Sequence, residues 1–468
     1  MSAVSTLLVL GASGDLASRL LLPALGQLLT VEPARRVRLV GAGTEKLDHE
    51  AWLGRLRDAF GEAHGDAVDA LLADTRYLTA DVTSDDGLRS LLDACEAPVA
   101  LYFALPPAIA VTACEALERL GVDPRTVLAL EKPFGSDGES AHQLNALLTR
   151  MVPEHQVHRI DHFLGRTTVL NLLGLRFANR VFEPLWSSAH VESVDIVYDE
   201  VLGLEHRARY YDHAGALVDM IQSHLLQVLA LFAMEPPATI GEADLRAAKA
   251  AVLRATHVRG DDPSGSSRRG RYTAGRIGDR DLPAYVDEDG VDPANHTETL
   301  AEVVLEVGTW RWAGVPFTLR SGKALGRRRR EIMVRFGPAQ RVPDGLEGDA
   351  PANVLHVALA PDCVSLEVNM NGPGDPDTLS REVMTADFDP GRLEAYGEVL
   401  RGVLDDDPAL SIRGDTAERC WRIVEPVLAA WRAGTVPLAD YPAGSDGPSD
   451  WRTSGDRGGM PLPTAASR

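Results

Sequence analysis

Several short clusters in this 468-residue chain hold residue types whose spacing suits chemistry. Arg159-Ile160-Asp161-His162-Phe163-Leu164-Gly165-Arg166 packs two cations, an acid and a histidine into eight residues. His162 and Arg166 can clamp a phosphate, and Asp161 can orient a histidine base supplied from elsewhere; the same residues also suit a satisfied polar network at a domain junction. A second acid and base, Asp219 and His224, interrupt an otherwise apolar stretch from Leu217 to Leu231, with Glu200 upstream. Polar groups on so apolar a helix are buried and need partners, so they are either structural or part of a site for sugar hydroxyls. Lys323 lies in Arg320-Ser321-Gly322-Lys323-Ala324-Leu325-Gly326, followed by four arginines, Arg327 to Arg330. Such a run is a solvated face or a local positive field for a phosphorylated metabolite.

Three further motifs are defined by backbone. Gly11-Ala12-Ser13-Gly14-Asp15-Leu16-Ala17 follows an apolar run, Leu7–Leu10, and opens a helix. Glycines there let backbone N–H groups approach a pyrophosphate, helped by the helix N-terminus. Gly41-Ala42-Gly43-Thr44-Glu45-Lys46 follows the next apolar run, where a ribose or its 2′-phosphate is read. Glu45 favours a ribose diol and Lys46 a phosphate, so the two point opposite ways. Glu131-Lys132-Pro133-Phe134-Gly135 follows the run Thr126–Leu130, and a cis Lys-Pro bond would aim Lys132 into the crevice at the strand ends.

The elements that must position these groups follow from periodicity. Leu7–Leu10, Val37–Val40, Val99–Ala104 and Thr126–Leu130 read as buried strands separated by helix-period segments, the rhythm of a doubly wound parallel sheet. After about residue 190, Val194, Ile196 and Tyr198 alternate with acids; Ile332–Phe336 alternates, and Val354–Leu359 and Val364–Met370 flank a turn. These are strands of an antiparallel or mixed sheet, with long helices at 214–234 and 415–432. The expected fold is α/β: a Rossmann-like dinucleotide-binding domain over 1–160, then a larger α+β domain with a mostly antiparallel sheet over 161–468, for substrate binding and oligomerisation. The polar stretch 259–296 reads as a long excursion or mobile loop rather than a linker between folding units, and the end of the tail beyond Pro442 as fraying.

Composition narrows the function classes. With 47 Lys+Arg against 68 Asp+Glu the net charge is −21, which excludes a general electrostatic grip on nucleic acid or an anionic membrane. No run of 18 apolar residues and no secretion-type N-terminus stand out, so a cytoplasmic location is expected. The four cysteines have no metal or disulfide spacing, and no metal is expected. Only Lys46, Lys132, Lys249 and Lys323 are lysine among the 47 basic residues, a skew that reads as genomic preference and makes each surviving lysine a candidate for a site that needs an ammonium.

Taken in order, these motifs resemble the glucose-6-phosphate dehydrogenase family, whose pattern reads G-x-x-G-D-L-A, E-K-P-F-G, R-I-D-H-Y-L-G-K, a helix with D-x-x-x-x-H, and V-P-F-x-x-R-x-G-K. Val315-Pro316-Phe317-Thr318-Leu319-Arg320, Glu394-Ala395-Tyr396 and Trp421-Arg422-Ile423 extend the likeness over essentially the whole chain. The resemblance implies oxidation of D-glucose 6-phosphate to 6-phospho-D-glucono-1,5-lactone, the opening step of the oxidative pentose phosphate pathway, with NADP or NAD as hydride acceptor. It makes His224 the general base and Asp161 its orienting partner. It places Lys132, His162, Arg166, Glu200, Asp219, Lys323 and Arg328 on the sugar phosphate, and Gly11, Ser13, Gly14, Asp15, Leu16, Thr44 and Lys132 at the dinucleotide. It also implies a homodimer or homotetramer.

Three positions depart from the family pattern. Phe163 replaces a tyrosine and removes a phosphate hydrogen bond, Arg166 replaces a lysine and keeps the charge, and Thr44 replaces the arginine that grips the 2′-phosphate. Weakened discrimination against NAD is the expected consequence of Thr44. A sugar oxidoreductase of the glucose-fructose oxidoreductase type would share the nucleotide domain and an E-K-P element but leaves the Asp161–Arg166 motif unexplained. A non-catalytic nucleotide- or sugar-phosphate-sensing paralogue would fit Phe163 and Thr44 but not the retention of His224, Asp161, Lys132 and Lys323.

Overall fold

The computed structural model describes residues 4–205, 208–359, 362–372, 375–389 and 391–451. Most of the tail whose fraying was expected therefore lies outside the described residues. By compactness the chain forms two units. The first comprises Met1–Gly174, Leu226–Arg254 and Pro390–Glu425, and the second Leu175–Leu225, Ala255–Asp389 and Pro426–Arg468. These units are discontinuous in sequence, unlike a single division at residue 160.

The first unit is built on six parallel strands, β1 (Thr6–Leu10), β2 (Arg38–Gly43), β3 (Arg76–Thr79), β4 (Val99–Phe103), β5 (Val127–Glu131) and β6 (Val157–Ile160), in the order 3-2-1-4-5-6. β1 and β4 are buried along their whole length because apolar clusters cover both faces, which is why they read as unbroken apolar runs. Helices are started by local chemistry: Asp48 accepts the Ala51 N–H at 2.8 Å, and Asp137 and Ser140 form a reciprocal cap. One cluster joins Leu7, Val9 and Leu39 to Leu393, Val399, Leu400, Val403 and Leu404, so a segment nearly 400 residues along the chain completes the N-terminal core.

The second unit carries β7 (Val191–Asp199), β8 (Thr256–Val258), β9 (Ser267–Thr273), β10 (Gly275–Ile277), β11 (Arg280–Leu282), β12 (Leu300–Val307), β13 (Pro316–Gly322), β14 (Arg329–Phe336), β15 (Val354–Leu359), β16 (Asp362–Asn371), β17 (Leu379–Asp387) and β18 (Leu438–Pro442). Ten of these form one sheet, β17-β16-β15-β14-β7-β13-β12-β9-β18 with β8 beside β12; β10 and β11 pair separately. Pairing is antiparallel except at β7–β13 and β9–β18. The stretch 259–296, expected as an excursion or a mobile loop, is an excursion built of strands and short helical turns. β9 pairs with both β12 and β18, and its buried residues, Ser267, Gly270 and Tyr272, neither alternate regularly nor are all apolar, so no period-2 apolar signal marks it.

Among the described residues, the helical run Tyr210–Ala233 alone has the length and hydropathy to cross a bilayer, yet 89% of its apolar window is buried inside the fold.

Candidate active site

In the first unit, strand order reverses on either side of β1 and β4, the point where an open parallel sheet accepts ligands. Gly11 follows β1 with φ +87, a conformation costly for any other residue, and a Cβ there would lie 2.2 Å from the Ala104 carbonyl oxygen after β4. The Gly11 and Ala12 N–H groups bond to the Ala42 carbonyl at 2.8 and 2.9 Å, and Gly14 N–H to Gly11 at 3.0 Å. These bonds fix the glycine turn against β2 just before the helical run Ala17–Leu21. Ser13 and Leu16 are partly exposed there, while Asp15 is exposed and pairs with Arg19 at 3.0 Å.

Thr44, Glu45 and Lys46 are exposed just past β2. Arg55, on the helix His49–Phe60, pairs with Glu45 and donates to the Ser13 carbonyl at 3.3 Å. It thus ties the glycine turn to the ribose-side loop. No motif marked it, because its neighbours here are 10 and 42 residues away.

Lys132 follows β5 and the Lys132–Pro133 bond is cis, as the sequence suggested. The preceding Glu131 accepts the Tyr102 hydroxyl hydrogen and bonds Tyr396, and burial pushes its carboxyl up to about 7. After β6, buried Asp161 accepts the Phe163 N–H at 2.9 Å, which closes the single turn His162–Gly165. His162 stacks on Tyr396 with centroids 5.1 Å apart, and the Arg166 guanidinium lies 4.5 Å over the Phe163 ring. Phe163 therefore removes a hydroxyl but gives Arg166 a cation–π seat.

Arg159, the other cation of this motif, is fully buried and bonded to Glu154 and Asn145, both at 2.9 Å, which makes it structural. Tyr396 and Lys249 are additions that spacing did not reveal. Lys249 is 3% exposed on the helix Glu242–Ala255, and burial lowers its pKa to about 8 against the opposing pull of Asp161.

In the second unit, the expected continuous helix breaks at Gly215 (φ +66), and Leu217–Leu225 is π-helical. In an α-helix residues five apart stand about 140° apart around the axis. A π turn closes i→i+5 bonds, so Asp219 and His224 come round to neighbouring positions. His224 is 2% exposed and Asp219 is half-buried.

Glu200, at the end of β7, pairs with Lys323 at 2.8 Å and with Arg330 at 3.4 Å; the Lys323 ammonium lies 5.1 Å from the Tyr211 ring centre. Strand alternation in β14 splits the arginine run. Arg329 turns inward onto Glu331 at 2.9 Å, Arg330 covers Tyr198, Arg327 pairs with Asp446 at 3.3 Å, and Arg328 is exposed.

Comparison with known proteins extends this picture. Residues 8–171 match the family model "Glucose-6-phosphate dehydrogenase, NAD binding domain", and residues 173–459 match "Glucose-6-phosphate dehydrogenase, C-terminal domain". The chain is 37% identical over 482 residues to the glucose-6-phosphate 1-dehydrogenase of Mycolicibacterium smegmatis, covering 96% of each, and 39% identical over 465 residues to that of Gluconobacter oxydans, covering 94% of each. Among solved structures, the enzyme of Mycobacterium avium aligns with a TM-score of 0.83 at 32% identity over 96% of both chains. A glucose-6-phosphate dehydrogenase in complex with its substrate aligns with 0.85 at 28% identity, over 96% of this chain and 97% of that one. With both family models matched along its length, the chain belongs to the glucose-6-phosphate dehydrogenase family, NAD(P)-dependent oxidoreductases with a dinucleotide-binding domain.

Proposed function

We propose that His224 is the general base for oxidation of D-glucose 6-phosphate at C1. The C1 hydroxyl proton passes to the imidazole, the C1–H bond breaks with its electron pair leaving as hydride, and the C1–O bond becomes the carbonyl of 6-phospho-D-glucono-1,5-lactone. The Gly11–Leu16 turn and Thr44 would hold NADP or NAD, which would supply the hydride acceptor. Glu200, Asp219 and Lys323 act on the sugar as hydrogen-bonding and charged groups. Lys132, His162, Arg166 and the exposed Arg328 contact the sugar phosphate, and Asp161 stabilises the charged imidazole, as the family motif assigns them. The π turn that brings Asp219 and His224 to adjacent positions carries this reading.

Initial rates of nicotinamide reduction with glucose 6-phosphate, using NADP and NAD separately and free glucose as control, test it. Turnover confined to the phosphorylated sugar is expected. His224→Asn should lower kcat by roughly 10²–10⁴ with ligand affinity kept; unchanged turnover would remove His224 from the role. Binding of both ligands with no turnover would instead favour the non-catalytic paralogue. A cytoplasmic homodimer or homotetramer goes with this reading, and sedimentation of the purified protein tests the assembly.

A further inference from the structure

The helix that carries Asp219 and His224 starts abruptly, and a helix start leaves backbone N–H groups without intrahelical partners. Glu298 meets two of them. Its Oε1 accepts the Leu217 N–H at 3.0 Å, and its backbone carbonyl accepts the Ala216 N–H at 3.2 Å. The approach depends on Gly215, where a Cβ would lie 2.3 Å from Glu298 Oε1 and φ is +66. The next residue, Thr299, accepts the Lys323 N–H at 2.8 Å, and its hydroxyl lies 2.8 Å from the Tyr441 hydroxyl, which in turn donates to the Lys323 carbonyl at 2.7 Å. Two consecutive residues thus hold the start of the helix bearing Asp219 and His224 and the turn bearing Lys323. A buried carboxylate is a costly way to cap a helix, since a neutral Ser or Asn would serve.

We propose that Glu298 is a positioning residue whose carboxylate, capping the helix Leu217–Leu225, fixes where Asp219 and His224 stand relative to Lys323. This rests on the role assigned to His224 above. Among the described residues, the charged and titratable groups that interact with Glu298 include Arg269 on β9, Tyr211 on the helix Ala208–Ala216, and Tyr285. Arg269 favours the ionised carboxyl, whereas burial opposes it and raises its pKa to about 7. The ionised cap therefore weakens as pH falls through neutrality, and so does the alignment it sustains.

The test compares Glu298→Ala, Glu298→Gln and Gly215→Ala in the full chain. The readouts are kcat and KM for glucose 6-phosphate, the dissociation constant of NADP by fluorescence, and the pH profile of kcat, with circular dichroism to confirm folding. Glu298→Ala is expected to lower kcat by about 10²-fold, the penalty for a misplaced reacting group, while NADP affinity stays unchanged. Gly215→Ala, which drives the carboxylate off, should do the same. Glu298→Gln, whose amide oxygen still accepts the Leu217 N–H but carries no charge and does not titrate, should recover only part of kcat and flatten the acid limb of the profile. A Glu298→Ala enzyme with wild-type kcat and KM overturns the proposal, as does a Gln variant that neither rescues kcat nor alters the acid limb. His224→Asn in the same assays separates the failures: normal turnover there refutes the base assignment, whereas a loss there with none at Glu298 refutes only the positioning role.

Discussion

Substituting Glu154 by glutamine should destabilise the first unit well beyond an ordinary surface change. Glu154 serves two buried guanidiniums, Arg159 at 2.9 Å and Arg246 at 2.9 Å, and also accepts the Gly414 N–H at 2.9 Å. Arg159 is 0% and Arg246 1% exposed, and burial lowers both pKa values against the pull of Glu154. Arginine cannot escape by losing its proton, so removing the carboxylate leaves two buried charges with only Glu242, 2.8 Å from Arg246, and the weaker pull of Asp415 on Arg159 to offset them.

Breaking a buried pair costs about 3–5 kcal/mol, and because Glu154 is itself about one-third exposed, water moderates the loss towards ~3 kcal/mol. For a unit of this size each kcal/mol shifts Tm by about 2–4 °C, which gives a fall of about 6–12 °C. Thermal unfolding followed by circular dichroism, with Glu242→Gln as the milder single-partner control, measures it. A shift for Glu154→Gln below that of Glu242→Gln would refute the reasoning, because the doubly shared carboxylate would then carry no more than the singly shared one.

Other expectations follow from the same geometry. Thr44→Arg adds a charge-assisted contact for a 2′-phosphate, worth roughly 1.5–3 kcal/mol, and should raise the NADP-to-NAD ratio of kcat/KM by about tenfold or more; an unchanged ratio would mean that Arg55 already performs that task. Phe163→Leu removes the seat of Arg166 and should raise KM for glucose 6-phosphate by about two- to fivefold at constant kcat, as expected from a cation–π contact of about 0.5–1 kcal/mol. Glu131 binds its proton more tightly folded than unfolded, so its contribution to stability is complete below about pH 4.3 and is lost as pH rises through about 7. Glu131→Gln should flatten that part of the stability–pH curve measured by urea unfolding, and an unaltered curve would contradict the raised pKa.

The first sheet was legible wherever burial on both faces left an apolar run, as at β1, β4 and β5. β3 has only partly buried and exposed positions, and β6 buries His158 and Arg159 on paired polar contacts, so neither produced an apolar signal. In the second unit alternation revealed β7 and β14 to β16 but not β9. The motif residues announced themselves by type and spacing; Lys249 stood out only as a rare lysine and Tyr396 only within Glu394-Ala395-Tyr396, and Arg55 and Glu298 did not stand out at all. Each of these acts through partners far away in sequence, and no local pattern encodes such a pairing. The π turn at Leu217–Leu225 was equally silent, because the same apolar residues satisfy either helical period.

Synthesis runs from the N-terminus, so the late arrival of Leu393–Leu404 in the first core has a cost in time. Between the emergence of β6 and of that segment lie some 240 residues, which at about 5–20 residues per second is on the order of 10–50 s of translation. For that interval Leu7, Val9 and Leu39 wait with part of their cover missing. A nascent chain of this kind presents an unfinished apolar surface outside the ribosome long before it is released. Its yield in a cell should accordingly depend on holding chaperones during elongation, and slowing translation upstream of residue 390 should lower it further.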